Sequence, residues 1–116
     1  MNDELPPAHV VSDDTWLMLL EHGVVDGEPH AVDYFFYASA KAQAVSLAVQ
    51  LKRYGSAPHV ELRRTGRLRL GREWIVNGAT APFALTHATL QAWVASMYHL
   101  GRAAGAAFDG WGFPVD

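Results

Sequence analysis

The chain has 116 residues, of which 50% are hydrophobic and 18% are charged, and it contains no cysteine. This length predicts a single domain, and so large an apolar fraction excludes an intrinsically disordered chain. Without cysteine the chain has no disulfide framework, no thiol nucleophile and no cysteine-ligated metal site. No stretch reaches the roughly 18–20 apolar residues that cross a bilayer, and the acidic first residues lack the apolar region of a secretory signal. We therefore expect a soluble, cytoplasmic protein without membrane contact.

Charge is distributed unevenly along the chain, although the net charge is only −3. Residues 1–33 carry eight acidic side chains and no lysine or arginine, whereas residues 41–73 carry eight basic side chains and two acidic ones. One interpretation is a basic surface beside an acidic one, available for recognition. The simpler interpretation is that the two segments lie near each other and partly neutralise, since surface charges are commonly only solvated.

The first third of the chain predicts a leader, a short helix and a strand. Residues 1–12 are expected to be a flexible leader, because Pro6-Pro7 does not begin a regular element cleanly. Ser12 is a candidate N-cap for a helix that ends near residue 22. Residues 30–37 are rich in aromatic and β-branched side chains, and their lack of strict alternation indicates a strand with apolar contacts on both faces. The single folded domain is expected to span residues 13–116.

A second helix and a pair of strands follow. Ser39 is the predicted N-cap of a helix that ends near Tyr54, with one apolar stripe formed by Ala44, Leu47, Ala48 and Leu51. Residues 59–65 alternate as a half-buried strand does, and residues 73–79 predict the next strand. Between these strands, Gly66 is either a turn residue or a bulge.

The last part of the chain predicts a long helix and a final strand. Thr86 is the candidate N-cap of a helix that ends near Ala104, and residues 108–115 form a short strand. The order is a helix followed by β-α-β-β-α-β, which predicts an α+β fold of the ferredoxin-like, split βαβ kind. In this plan two helices cover one face of a four-stranded antiparallel sheet. Whether the N-terminal helix or a partner covers the other face stays open.

The polar residues do not form a recognisable catalytic or metal-binding pattern. The six histidines show no H-x-x-x-H or H-x-H spacing, and neither a nucleophile elbow nor a phosphate-binding loop is present. We expect no cofactor, no metal site and no enzyme activity. One alternative is a ligand-binding or cofactor-free enzymatic dimer of ferredoxin-like fold, with a pocket formed by Trp74, Trp93 and His99, although core packing is the simpler role for these side chains.

Direct RNA binding is a further alternative. The predicted hairpin around Gly66 is rich in arginines that can contact phosphates: Arg63, Arg64, Arg67, Arg69 and Arg72. The strand at residues 72–78 does not carry the aromatic motif on which RNA-recognition modules stack bases. The arginines are equally suited to keeping an exposed hairpin soluble and protecting its edge from pairing.

The most unusual string lies near the C-terminus and reads Phe108-Asp109-Gly110-Trp111. Its glycine, and Gly112 beyond it, predict either close backbone approach or positive φ angles. Together with residues 19–23 and 32–37, and with Trp74-Ile75-Val76, this string resembles the RraB family, regulator of ribonuclease activity B. The resemblance covers roughly residues 13–116.

The resemblance implies a ferredoxin-like domain and a function through protein binding. The family includes an inhibitor that binds the endoribonuclease RNase E and alters its action on transcripts, so a non-enzymatic regulator of RNA decay is expected. The expected contact residues are Asp109, Gly110 and Trp111 with the basic hairpin at Arg63, Arg64, Arg67 and Arg69. Two features depart from the family: the region of the second strand is rich in arginine where the family is acidic, and the chain is shorter. These departures leave the identity of the partner open.

Overall fold

A computed structural model describes residues 5–65 and 71–113, with the side chains of all these residues except 63–65, 71 and 72. Over these ranges a short 3₁₀ helix at Pro7–His9 precedes three α-helices: α1 (Asp13–Glu21), α2 (Lys41–Arg53) and α3 (His87–Ala103). The strands are β1 (Pro29–His30), β2 (Asp33–Ala38), β3 (His59–Thr65), β4 (Gly71–Ala79), β5 (Phe83–Ala84) and β6 (Ala107–Gly112). In this part of the chain no helix is both long enough and apolar enough to cross a membrane.

The main sheet has the strand order β3-β4-β2-β6, and each neighbouring pair is antiparallel. The α+β class and the four-stranded antiparallel sheet are thus as the sequence predicts. The two-stranded sheet β1-β5, in which Pro29 lies opposite Ala84, was not predicted. Strands of two residues are too short to show a periodic pattern, so the sequence gives no signal for them.

Local hydrogen bonds explain where the helices begin. Ser12 caps α1 by accepting a hydrogen bond from the Thr15 amide at 3.1 Å, as its sequence predicts. The predicted cap of α2 is one residue off, because the N-cap position belongs to Ala40. Alanine has no acceptor, and the Gln43 side chain instead accepts from the Ala40 amide at 3.3 Å.

The core lies between the sheet and the two long helices. Tyr34, Phe36 and Ala38 alternate along β2 toward the helices and are buried. Phe36 packs directly beneath Gly101 of α3, where an added Cβ would lie only 2.7 Å from the Phe36 ring. Glycine at this position therefore lets the helix approach the sheet more closely than any other residue would allow.

The opposite face of the sheet carries the other side chains of β2, and Phe35 on this face is 39% exposed. The N-terminal helix packs elsewhere. Trp16 of α1 stacks on His87 at the start of α3, with 5.8 Å between ring centroids, and Leu19 joins the same core cluster as the helix-facing residues of the sheet. In the described part of the chain, α1 thus lies on the core side and does not cover this outer face.

The segment predicted to be a flexible leader contacts α3. The Val11 amide donates to Gln91 Oε1 at 2.6 Å, Gln91 Nε2 donates to the His9 carbonyl at 3.1 Å, and His87 Nε2 donates to the Val11 carbonyl at 2.6 Å. Val11 is buried, and the His9 ring lies 5.2 Å from that of Phe108. Two polar side chains of α3 thus position residues 9–11 along the helix.

Candidate partner-binding site

The segment with the unusual C-terminal string forms β6, a strand at the edge of the main sheet. It pairs only with β2, so its other edge is free of strand partners in the described residues. The pairing shifts register between Phe35 and Phe36, which lie opposite Gly110 and Phe108, and Asp109 is the extra residue at this irregularity. Asp109 is exposed, whereas Phe108 before it is buried. The bulge thus presents a carboxylate at the sheet edge.

Trp111 is half-buried and contributes to packing as well as to the surface. It lies opposite Tyr34 in the register, packs against the core cluster and makes an edge-to-face contact with Phe113, at 5.9 Å between centroids. A change at Trp111 therefore perturbs stability together with any partner contact. Asp109 is the cleaner position for testing recognition.

The two glycines of β6 do not have the role that the sequence predicts. Neither Gly110 nor Gly112 has a positive φ angle, and a Cβ built at either position would meet no atom within 4 Å. The expectation of close backbone approach or a left-handed conformation is therefore wrong. Gly110 lies opposite Phe35 on the outer face, and because it has no side chain it leaves that aromatic ring accessible.

The basic hairpin lies at the other edge of the sheet. Arg63 and Arg64 are in β3, where they pair with positions 73 and 72 of β4, while Arg67 and Arg69 lie outside the described residues. Two strands separate β3 from β6, so at about 4.8 Å per interval the two edges are about 14 Å apart. The predicted contact residues thus belong to two separate edges, and one compact partner segment would not touch both.

A groove of about 790 Å³ lies between the C-terminal end of α2, the middle of α3 and the connection from β4 to β5. Its lining includes Tyr54, Phe83, Trp93 and His99. Trp93 and His99 therefore do lie together, as the alternative ligand-binding interpretation requires. Trp74 lies elsewhere, beneath the Lys41 ammonium group at 5.6 Å from the ring centroid, so this part of the predicted pocket set is wrong.

A hydrogen-bonded pair of hydroxyl groups, one on buried Tyr34 and one on half-buried Ser56, lies in the lining of the groove. The Tyr34 hydroxyl is hydrogen-bonded to Ser56, and Ser56 Oγ donates to the Ala79 carbonyl at 2.9 Å. Burial raises the pKa of Tyr34, and the hydrogen bond with Ser56 only partly opposes this effect. Tyr34 is therefore neutral at physiological pH. The pairing joins residues 22 positions apart, and no local pattern in the sequence indicates it.

Comparison with known proteins identifies the family. One family model, regulator of ribonuclease activity B, matches residues 11–113. The chain belongs to the RraB family. The match spans nearly the whole chain, including Val11 of the leader and all of β6, and it confirms the resemblance. No curated protein matches this RraB-family chain in a sequence search.

Membership fixes the broad character of the protein. RraB is a family of regulators of ribonuclease activity and is not a class of enzymes. Within the described residues, no three histidine, aspartate or glutamate side chains come together as metal ligands would. Among the described residues of this RraB-family chain, three surfaces suited to recognition are the β6 edge with Phe35, the β3 edge, and the groove.

Proposed function

We propose that this chain is a cytoplasmic, non-enzymatic regulator that binds an RNase E-type endoribonuclease and changes its action on transcripts. The family match over residues 11–113 carries the proposal. The geometry of β6 supports it, because the string that carries the resemblance forms a free edge with an exposed carboxylate at Asp109 and an accessible ring at Phe35. We assign the partner contact to this edge.

Binding and cleavage assays test the proposal directly. The chain is titrated against the RNase E-type enzyme of the same organism, and cleavage of a defined transcript is followed with and without the chain. We expect saturable binding and altered cleavage. Asp109→Lys should weaken binding by about tenfold or more, as loss of a charged interface contact does. Asp26→Lys, an equal charge change at another exposed acid, is the matched control and should bind as the unaltered chain does. No binding to the enzyme would refute the proposal.

The same assay separates protein binding from direct RNA binding. Binding of the transcript alone, with an affinity that falls steeply with salt, would indicate phosphate contacts by the basic hairpin. The outer sheet face near Phe35 is poorly suited to such contacts, because Asp33 lies on the same face two residues from this exposed ring. Carboxylates beside a stacking ring repel phosphates, so we expect RNA binding to be weak or absent.

The groove supports a second candidate function, binding of an apolar small molecule. A volume of about 790 Å³ lies within the range of ligand sites, and the lining combines aromatic side chains with few polar groups. Ser96→Trp places a large side chain in the groove and should abolish ligand-induced stabilisation in a thermal screen. If no apolar compound raises the melting temperature of the unaltered chain, this second function fails, while the regulator proposal is unaffected.

We also propose that the fold is ferredoxin-like. Counted along the chain, the main-sheet strands are β2, β3, β4 and β6, and their spatial order corresponds to 2-3-1-4. Read from the other edge, this is 4-1-3-2, with antiparallel neighbours throughout, as the split βαβ plan requires. An experimental structure tests the remaining feature, the handedness of the two helical connections, which should be right-handed.

A further inference from the structure

The β3 edge of the main sheet has no strand partner in the described residues, since β3 is bonded only to β4. An unpaired strand edge presents a row of backbone donors and acceptors to another chain. The middle residue of β3 is Leu62, an apolar side chain on the helix-facing side that is 40% exposed. This edge therefore combines unused backbone hydrogen bonds with exposed apolar surface.

We propose that two copies of this chain associate through this surface, with β3 pairing antiparallel to β3 of the second copy about a two-fold axis at Leu62. The two four-stranded sheets then form one continuous sheet of eight strands. The Leu62 side chains meet on the axis. This proposal does not depend on the proposed regulatory function.

The charged residues of β3 favour this register, and they favour a second copy of the chain as the partner at this edge. Side chains alternate between faces, so both α2 helices stay on one side only if odd-numbered positions oppose odd-numbered ones. A register centred on position 61 opposes Glu to Glu, and one centred on position 63 opposes Arg to Arg. The register centred on Leu62 opposes Glu61 to Arg63 twice. An isologous interface requires such self-complementarity.

The same register uses the whole strand. Leu62 is the midpoint of His59–Thr65, so all seven residues of each β3 pair with the other copy. No like charges then lie opposite each other: Val60 opposes Arg64, and His59 opposes Thr65. The registers centred on positions 61 and 63 pair fewer residues. Each also places two like charges opposite each other at its centre, which destabilises a sheet.

Sedimentation equilibrium with charge reversal tests the proposal. The full chain should sediment as a concentration-dependent dimer. Glu61→Arg and Arg63→Glu should each raise the dimer Kd by about tenfold or more, because each turns two attractive pairs into repulsive ones. The double variant restores opposite charges and should return the Kd close to the original value. Glu21→Arg, on the exposed surface of α1, is the control for net charge.

A cross-link locates the axis independently. The chain has no cysteine, so Leu62→Cys introduces the only thiol. Directly opposed residues of an antiparallel pair have Cα atoms about 4.5–5.5 Å apart, within the range that a disulfide bridges. Mild oxidation should produce a covalent dimer at low protein concentration. Leu17→Cys on α1, at a comparably exposed leucine, is the matched control and should remain largely monomeric.

The outcomes are decisive. A monomer at concentrations up to about 100 μM would overturn the proposal, as would a dimer that is indifferent to both charge reversals or cross-links no better through position 62 than through position 17. Circular dichroism melting of each variant ensures that a monomer is a folded monomer. Rescue by the double variant cannot arise from misfolding, because it restores only the pairing of charges.

Discussion

Replacing Gly101 with alanine tests the closest contact between α3 and the sheet. The new Cβ would lie 2.7 Å from Cε1 and 2.9 Å from Cδ1 of Phe36, whereas carbon atoms in favourable van der Waals contact lie about 3.5–4.0 Å apart. The ring or the helix must therefore move by about 1 Å. Phe36 has no free space for this, because it is fully buried and its ring packs 5.0 Å from that of Phe108.

Two opposing effects determine how much Gly101→Ala changes the free energy of unfolding. Overpacking of this kind costs about 1–3 kcal/mol, and replacing glycine by alanine inside a helix recovers about 1 kcal/mol. The net loss is thus expected to be about 1 kcal/mol, which lowers the melting temperature by roughly 4 °C in a domain of this size. Urea denaturation gives the free energy of unfolding, with the slope m as a check that the transition stays two-state.

A second substitution separates the two effects. Phe36→Leu removes ring atoms that the new Cβ would meet, so Gly101→Ala in that background should stabilise the protein rather than destabilise it. The change of sign is the result of interest, because it isolates the contact between the new methyl group and the ring from the separate cost of each substitution. If Gly101→Ala stabilises the otherwise unaltered chain, then Phe36 does not limit the approach of α3, and the reasoning is refuted.

Three further substitutions test other parts of the structure. The pKa of Tyr34 is raised in the folded protein, so the neutral phenol contributes fully to stability below its ordinary pKa of 10.0, and this contribution is lost as the pH rises through the folded pKa. Tyr34→Phe should therefore reduce the loss of stability at alkaline pH. Urea denaturation at pH 8 and above pH 10 measures this difference. Gln91→Ala removes both hydrogen bonds between this side chain and the leader, and limited proteolysis should then cut residues 5–11 faster while the melting temperature falls by only a few degrees. Gly110→Val adds a side chain opposite Phe35 where nothing clashes; the fold should remain, and binding to the RNase E-type enzyme should weaken, whereas unchanged binding would place the contact elsewhere.

Local patterns predict the elements that are long enough to show a period. The apolar stripe of α2 and the alternation of residues 59–65 both identify their elements to within a residue or two. The family, too, could be recognised from short strings of residues, of which the C-terminal one is the most unusual. These features depend on residues that are close together in the sequence.

The remaining features depend on residues that are far apart. Gln91 contacts the leader across about 80 residues, and the hydroxyl pair of Tyr34 and Ser56 joins a strand to the loop after α2. The strand order, which places Arg63 and Asp109 at opposite edges, is a property of the assembled sheet. A periodic pattern contains no information on such distances, so the sequence suggested one contact surface where the structure has two edges.

The contact between His9 and Phe108 has a consequence for how the fold assembles and opens. It closes a loop of 99 residues, and in an unfolded chain such closure costs about 4 kcal/mol of entropy beyond a constant term. The contact therefore forms late, once the sheet has already brought the two segments near each other. In the native state it belongs among the first contacts to open, as terminal segments do. The strand that carries Asp109 thus packs against a terminal segment, and we expect any change that loosens the leader to speed amide hydrogen exchange in the leader and in β6 together.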